Sequence, residues 1–425
     1  MNDTSRKVQR TYVLLVVLNT LAASLIWGIN TIFLLDAGLS NFEAFAANAF
    51  FTAGMVLFEV PTGIVADLKG RRASFMLGTL TLAISTLLYL LLWQNGAPFW
   101  AWAVVSVFLG LGFTFFSGAT EAWLVDALNF TGYKGKLETV FAKGQVAGGI
   151  AMFTGAVGGG VLAQVTNLGV PYLVRGIILI FSFFAAFTLM RDMGFAPATG
   201  NRPLKAVKTI WNDSLQYGLK NPPVRWIMLT GPFVSGVSIY GFYALQPYLL
   251  ELWGNEKAYA LAGVTAAILA VAQIAGGMLA PYIGRVFRRR TSMIFISILL
   301  SAFIIALMGL IPHFWPVIVL VVMWGLLFAA TTPVRQAYIN SLILAKQRAT
   351  VLSFDSLLGS TGGVVVQPAL GKAADIWSYP TSYILGGVIQ TLALPFAWQA
   401  RRAARNTVAA KNADAIGENT TGTPS

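Results

Sequence analysis

The chain has no cysteine and a single histidine, His313. The first absence removes disulfides, thiol nucleophiles and thiolate metal sites; the second removes histidine clusters and histidine proton relays. Charge is scarce as well: 11% of the 425 residues are Asp, Glu, Lys or Arg, about half the share of a soluble domain. No glycine-rich loop ending in Gly-Lys occurs, so ATP is not indicated as an energy source. No nucleophile–base set appears, so the chain is not expected to be an enzyme, and no cofactor or metal is expected.

What is present is apolar. Hydrophobic residues make up 56% of the chain. A spanning helix takes about 20 mostly apolar residues, so the length admits twelve spans with short loops. Arg6, Lys7 and Arg10 precede an apolar run too long for a cleaved leader, which reads as the first span. A net charge of +13 would fit nucleic acid, but the basic residues collect in alternate loops. That is the positive-inside pattern. The expected partner is therefore a lipid bilayer and not nucleic acid, with both termini cytoplasmic and the chain multi-pass in the cytoplasmic (inner) membrane.

The polar stretches divide the chain. Residues 1–190 read as one six-helix bundle, 191–224 as a cytoplasmic linker, 225–400 as a second bundle and 401–425 as a disordered cytoplasmic tail. Within the linker, Val207, Ile210, Trp211, Leu215 and Leu219 recur at helical spacing. That pattern predicts an amphipathic helix, either on the membrane surface or packed under the bundle.

The chain is organised around the stretch from Glu59 to Arg72, which joins two membrane-length helices. Gly63 would let a neighbouring helix approach closely, and Gly70 suits a sharp reversal. Asp67 lies among Lys69, Arg71 and Arg72. Gly63, three residues, Asp67, two residues, Gly70, Arg71, Arg72 resembles the loop signature between the second and third helices of the major facilitator superfamily. Leu68 stands where that signature usually has a basic residue.

The resemblance implies an all-α polytopic membrane protein with twelve transmembrane helices in two pseudo-symmetric six-helix bundles. It implies secondary active transport of a small-molecule substrate by alternating access, with helices 1, 4, 7 and 10 lining a central cavity. It also implies a cytoplasmic latch made of Asp67, Arg71 and Asp126. Proton-coupled export of a small amphipathic compound, as in bacterial drug-efflux-like members, is the leading expectation; the expected partners are then the substrate and protons, with a monomer as the unit. Proton-coupled uptake of a metabolite is the alternative, and a transport-inactive membrane sensor or scaffold is the alternative of another class. Two exporter features are incomplete. Ser106 stands where an arginine four residues before Gly110 is common, and Gly155 to Gly160 keeps the glycines of the helix 5 motif without its proline.

The two halves repeat. One fixed offset takes Gly63, Gly70 and Arg71 to Gly277, Gly284 and Arg285, and takes Glu121 to Arg335. An ionisable group inside a span needs a partner or a wet cavity. Glu121 with Lys143, and Arg335 with Asp355, are predicted as intramembrane ion pairs, one per half, which either fasten helices or take part in coupling. Glu59 lies one turn deeper than Gly63 and has no cation nearby in the sequence. Glu59, Glu121 and Asp355 are the candidate proton carriers. Trp27, Asn30, Phe113, Phe116, Tyr240 and Tyr243 are the candidate cavity wall, since aromatics with a few polar tips suit an amphipathic solute.

Overall fold

A computed structural model describes residues 3–195, 214–287, 289–343 and 348–404. The chain winds through twelve helical passes, here α1 to α12. The first half holds α1 (Asp3–Ser24, resuming as Asn30–Asp36), α2 (Asn41–Lys69), α3 (Arg71–Gln94), α4 (Phe99–Thr114, resuming as Ala119–Phe130), α5 (Leu137–Val165) and α6 (Gly169–Leu189). The second half holds α7 (Pro222–Met228, resuming as Gly231–Trp253), α8 (Tyr259–Val286), α9 (Arg290–Leu310), α10 (Phe314–Leu342), α11 (Arg348–Ile376) and α12 (Tyr379–Thr391, resuming as 394–404). Among the described residues nine passes are long and apolar enough to cross a membrane. The other three are α1 and α12, which are broken, and α11, which carries Asp355, Lys372 and Asp375.

The helices start and stop for local reasons. Ser40 caps α2 in a reciprocal box with Glu43: its Oγ accepts from the Glu43 N–H at 3.3 Å, and the Glu43 carboxylate accepts from the Ser40 N–H at 2.9 Å. Such caps contribute about 1 kcal/mol. Gly70, at φ +97°, makes the reversal into α3 that the sequence predicts. The break in α4 ends on Gly118, left-handed at φ +67°, and Ser74 donates to the Phe115 carbonyl that the break exposes, at 2.8 Å.

Packing repeats between the halves. In the first, α1 packs on α5, α2 on α4 and α3 on α6; in the second, α7 packs on α11, α8 on α10 and α9 on α12. The halves meet along α2 with α11 and along α5 with α8. Large apolar side chains such as Leu57 and Met278 point outward, 64% and 71% exposed. That surface suits hydrocarbon and not water. Of the predicted linker helix, Val207, Ile210 and Trp211 lie outside the described residues, as does the tail from 405; Leu219 ends a short π-helical turn, Ser214–Leu219.

Candidate functional site: a cavity between the halves

A cavity of about 350 Å³ lies between the two halves. Trp27 of α1, Phe51 and Thr52 of α2, Tyr243 of α7, Gln273 of α8 and Trp324 of α10 are among its walls. The predicted wall is only partly in place. Trp27 and Tyr243 line the cavity. Phe113 lies one layer behind, packed edge-to-face on Phe51 at 5.4 Å. Tyr240 is buried in the second half, where its hydroxyl donates to Ser382 Oγ at 2.5 Å. Phe116 packs on Phe75 at 4.9 Å. Asn30 donates to Asn48 at 3.0 Å and accepts from the Tyr172 hydroxyl at 3.0 Å, away from the cavity.

Among the described residues, helix α4 contributes none to this wall, contrary to the expectation from the family. Backbone packing explains it. A methyl built on Gly54 falls 2.5 Å from the Val107 carbonyl, and one built on Gly110 would overlap the Phe51 carbonyl. So α2 and α4 touch along their backbones, and Phe51 fills the place facing the cavity.

One end of the cavity is sealed. Gly28, Gly160 and Gly263 meet there: a methyl on Gly28 would lie 2.8 Å from Gly263 Cα, and one on Gly160 would lie 2.9 Å from it. Helix α1 is broken between residues 24 and 30, which frees backbone groups inside the protein. The buried Gln246 side chain satisfies two of them from the other half. It accepts from the Thr31 N–H at 2.8 Å and donates to the Trp27 carbonyl at 2.8 Å. Farther out, the Asp375 carboxylate accepts from the N–H groups of Asn41 and Phe42, at 2.9 and 2.8 Å. These are the free donors at the start of α2, where the helix dipole also favours an anion. Tyr379 adds a hydroxyl hydrogen bond to Asn41.

At the other end, that of the Gly70 turn, the halves part. Nothing lies within 4 Å of a methyl built on Gly63, Gly149 or Gly277. The close helix approach predicted at Gly63 is therefore absent in this conformation and is found at Gly28, Gly160 and Gly263 instead.

Charges at the open end are arranged differently from the predicted latch. Arg71 pairs with Asp67 at 2.7 Å, within the loop. Asp126 makes no ion pair with Arg71 among the described residues. The acid that reaches the turn is Asp192, after α6. Its carboxylate accepts from the Arg72 N–H at 3.0 Å and so caps α3, while the Arg72 side chain donates to the Phe187 carbonyl at 2.5 Å.

Of the two predicted intramembrane pairs, one is present. Arg335 holds Asp355 with two hydrogen bonds, at 2.5 and 2.7 Å, and also reaches the Ile227 carbonyl at 3.3 Å. Glu121 and Lys143 are not paired, and both are exposed. Helix α1 intervenes between their helices: Tyr12 is within electrostatic reach of Glu121, and its ring abuts Gly144 of α5, 2.5 Å from a methyl built there. Glu59 is exposed rather than buried. It accepts from the Ser117 hydroxyl, at the break in α4, at 2.6 Å. Met55, one turn closer to the centre of α2, lines the cavity, so Glu59 stands at its open mouth.

The seal can be tested directly. Without native cysteine, Ile239→Cys in the cavity wall becomes the sole thiol. Asp375→Ala should raise its labelling by a membrane-impermeant reagent added from the Asn41 side several-fold. Unchanged labelling would mean that Asp375 does not hold the seal.

Comparison with known proteins agrees with this geometry. The Major Facilitator Superfamily model matches residues 12–285 and 257–418. Solved structures share the fold. The nucleoside transporter NupG superposes with a TM-score of 0.72 at 13% identity, covering 95% of this chain and 99% of its own. A bacterial homolog of the human lysosomal transporter Spinster, inward-facing and unoccupied, gives 0.71 at 14% identity over 95% and 98%. A POT family transporter in complex with 5-aminolevulinic acid gives 0.69 at 14% identity over 92% and 94%. No curated protein sequence matches the chain. With two bundles repeated in packing, a cavity between them closed at one end, and a family match across nearly the whole length, the chain belongs to the major facilitator superfamily of multi-pass membrane transporters.

Proposed function

We propose that the protein is a secondary transporter in which protons drive the export of a small amphipathic organic compound by alternating access. The observation that carries the alternating-access part of this reading is the interhalf cavity, sealed at the Asn41 end and parted at the Gly70 end. The basic loops on the Gly70 side support a cytoplasmic location for it by the positive-inside rule, which makes the conformation inward-open in this reading. In the opposite state the grooves at Gly63 and Gly277 close, and Arg71 exchanges partners to bring Asp126 into the latch. A wall of Trp27, Phe51, Phe242, Tyr243, Trp324 and Phe328 with few polar tips suits an amphipathic body.

Glu59 is the proton carrier in this scheme. It is a carboxylate at the mouth, reachable from water in the open state, on the helix that must move against α11. Glu121 and Asp355 are the other candidate carboxylates, the latter held by Arg335. In everted vesicles, adding a transported solute should release protons from the lumen, and Glu59→Gln should cut that movement at least tenfold while leaving solute exchange intact. Full proton movement in Glu59→Gln would exclude Glu59 from coupling.

Uptake by proton symport is the second reading. It is favoured by Ser106, which occupies the place of the exporters' arginine and is bonded to Tyr89 at 2.6 Å. Overexpression separates the two: export lowers the cell's susceptibility to toxic solutes, and uptake raises accumulation of a labelled metabolite.

A further inference from the structure

Arg175 of α6 is buried, only 3% exposed. No carboxylate lies within 4.0 Å of it, and no hydrogen bond reaches its guanidinium, among the described residues. The guanidinium keeps its charge at any physiological pH, and burying it without a counter-charge is strongly unfavourable. Its surroundings do not supply one. The ionisable groups within electrostatic reach are the hydroxyls of Tyr172, Tyr89 and Tyr243. Those of Tyr172 and Tyr89 are engaged elsewhere, with Asn30 and Ser106. Among the described residues only the Phe113 ring, 5.9 Å from the guanidinium carbon, faces the charge directly. Arg335 gives the contrast. Where this chain fastens helices with an arginine, it provides a carboxylate in a two-bond fork and a backbone carbonyl besides.

Aromatic side chains link the unpaired charge to the cavity. Tyr243 lines it, and Phe113 rests on Phe51, which also lines it. On the Tyr243 side one ring stands between the guanidinium and the space between the halves; on the other side two do, Phe113 and Phe51. Among the described residues, the cavity wall itself carries no charge.

We propose that Arg175 is the anion-recognition group of this cavity, and that the cargo is an organic monoanion, a carboxylate on an apolar or aromatic body. The carboxylate takes the guanidinium fork when Tyr243 turns aside, because the two planar groups match in a pair of parallel hydrogen bonds. The body lies against Trp27, Phe51 and Trp324. A single cation matches a single negative charge, which disfavours phosphate dianions. This inference rests on the cavity being the path of the cargo and narrows what that cargo is.

The test measures binding of 2-naphthoate and its uncharged isostere 2-naphthamide to the full chain in lipid nanodiscs. The wild type should bind the carboxylate at least tenfold more tightly. Arg175→Gln should remove that preference with the amide affinity unchanged. Arg175→Lys, a point charge without the fork, should keep part of it. Equal affinities in the wild type, or a preference that survives Arg175→Gln, would overturn the role of Arg175 while leaving the cavity as the cargo path. Failure of either probe to bind, and of either to enter proteoliposomes, would overturn both. If Arg175→Gln does not fold, the wild-type comparison and Arg175→Lys decide.

Discussion

Gly263→Val should hold the protein open at the Asn41 end and reduce transport at least tenfold. A methyl on Gly263 falls 2.5 Å from the Ala156 carbonyl oxygen and 2.9 Å from Gly160 Cα. Both are backbone atoms of α5, in the opposite half, and neither has a rotamer by which to retreat. Overpacking costs about 1–3 kcal/mol where neighbours adjust, and here the adjustment is parting of the halves. About 1.4 kcal/mol is already a tenfold shift of population. The penalty falls on the sealed state alone, since each half packs without that contact, so the variant should fold. With Ile239→Cys as the sole thiol, labelling from the Asn41 side should rise at least tenfold. Gly158→Val, with nothing within 4 Å of its built methyl and outside the parted end, is the control. A Gly263→Val protein that stays shielded and transports at the wild-type rate would show that the three-glycine contact is not the seal.

The second large effect is expected at Arg335 and Asp355. Their side chains are 23% and 8% exposed and joined by two hydrogen bonds. Removing one partner strands the other charge in a span, at a cost of about 3 kcal/mol or more. Arg335→Met and Asp355→Leu should each lower stability by that order. The double variant should recover most of the loss, because replacing both groups with apolar ones leaves no orphan. A double-mutant cycle on unfolding in detergent measures this coupling. Single variants each costing under about 1 kcal/mol would mean that the pair is solvated and contributes little. Transport by the stable double variant then sorts function from fastening: normal proton-linked flux would remove Asp355 from the proton path.

The fold was legible because membrane helices advertise themselves by composition. The halves were legible because one offset relates two separated regions. Arg335 and Asp355 are matched in the sequence because a charge in a span must be answered, and the next helix carries an acid at a matching depth. The same logic fails for Glu121 and Lys143. Sequence neighbours in a hairpin need not be spatial neighbours, and α1 lies between these two with Tyr12 against Gly144. The breaks in α1 and α4 leave no mark in the sequence because neither contains proline; the α4 break depends on one left-handed glycine, Gly118. Phe113 and Phe116 are displaced from the cavity by tertiary packing, since Gly54 and Gly110 bring α2 in front of α4. Asp192 and Asp375 carry no sequence signal because both bond backbone N–H groups, which every residue but proline carries.

The two sides of the gate at the Asn41 end are not equally free to vary. Its donors at 41 and 42 are main-chain amides, indifferent to the side chains there, whereas its acceptor is one carboxylate. The two bonds to Asp375 survive substitution at 41 and 42, proline excepted, although Asn41 is also needed to hold Tyr379; on the α11 side they depend on a single position. A lineage could retune how readily this transporter opens at the Asn41 end by changing Asp375 alone, with no compensating change across the interface.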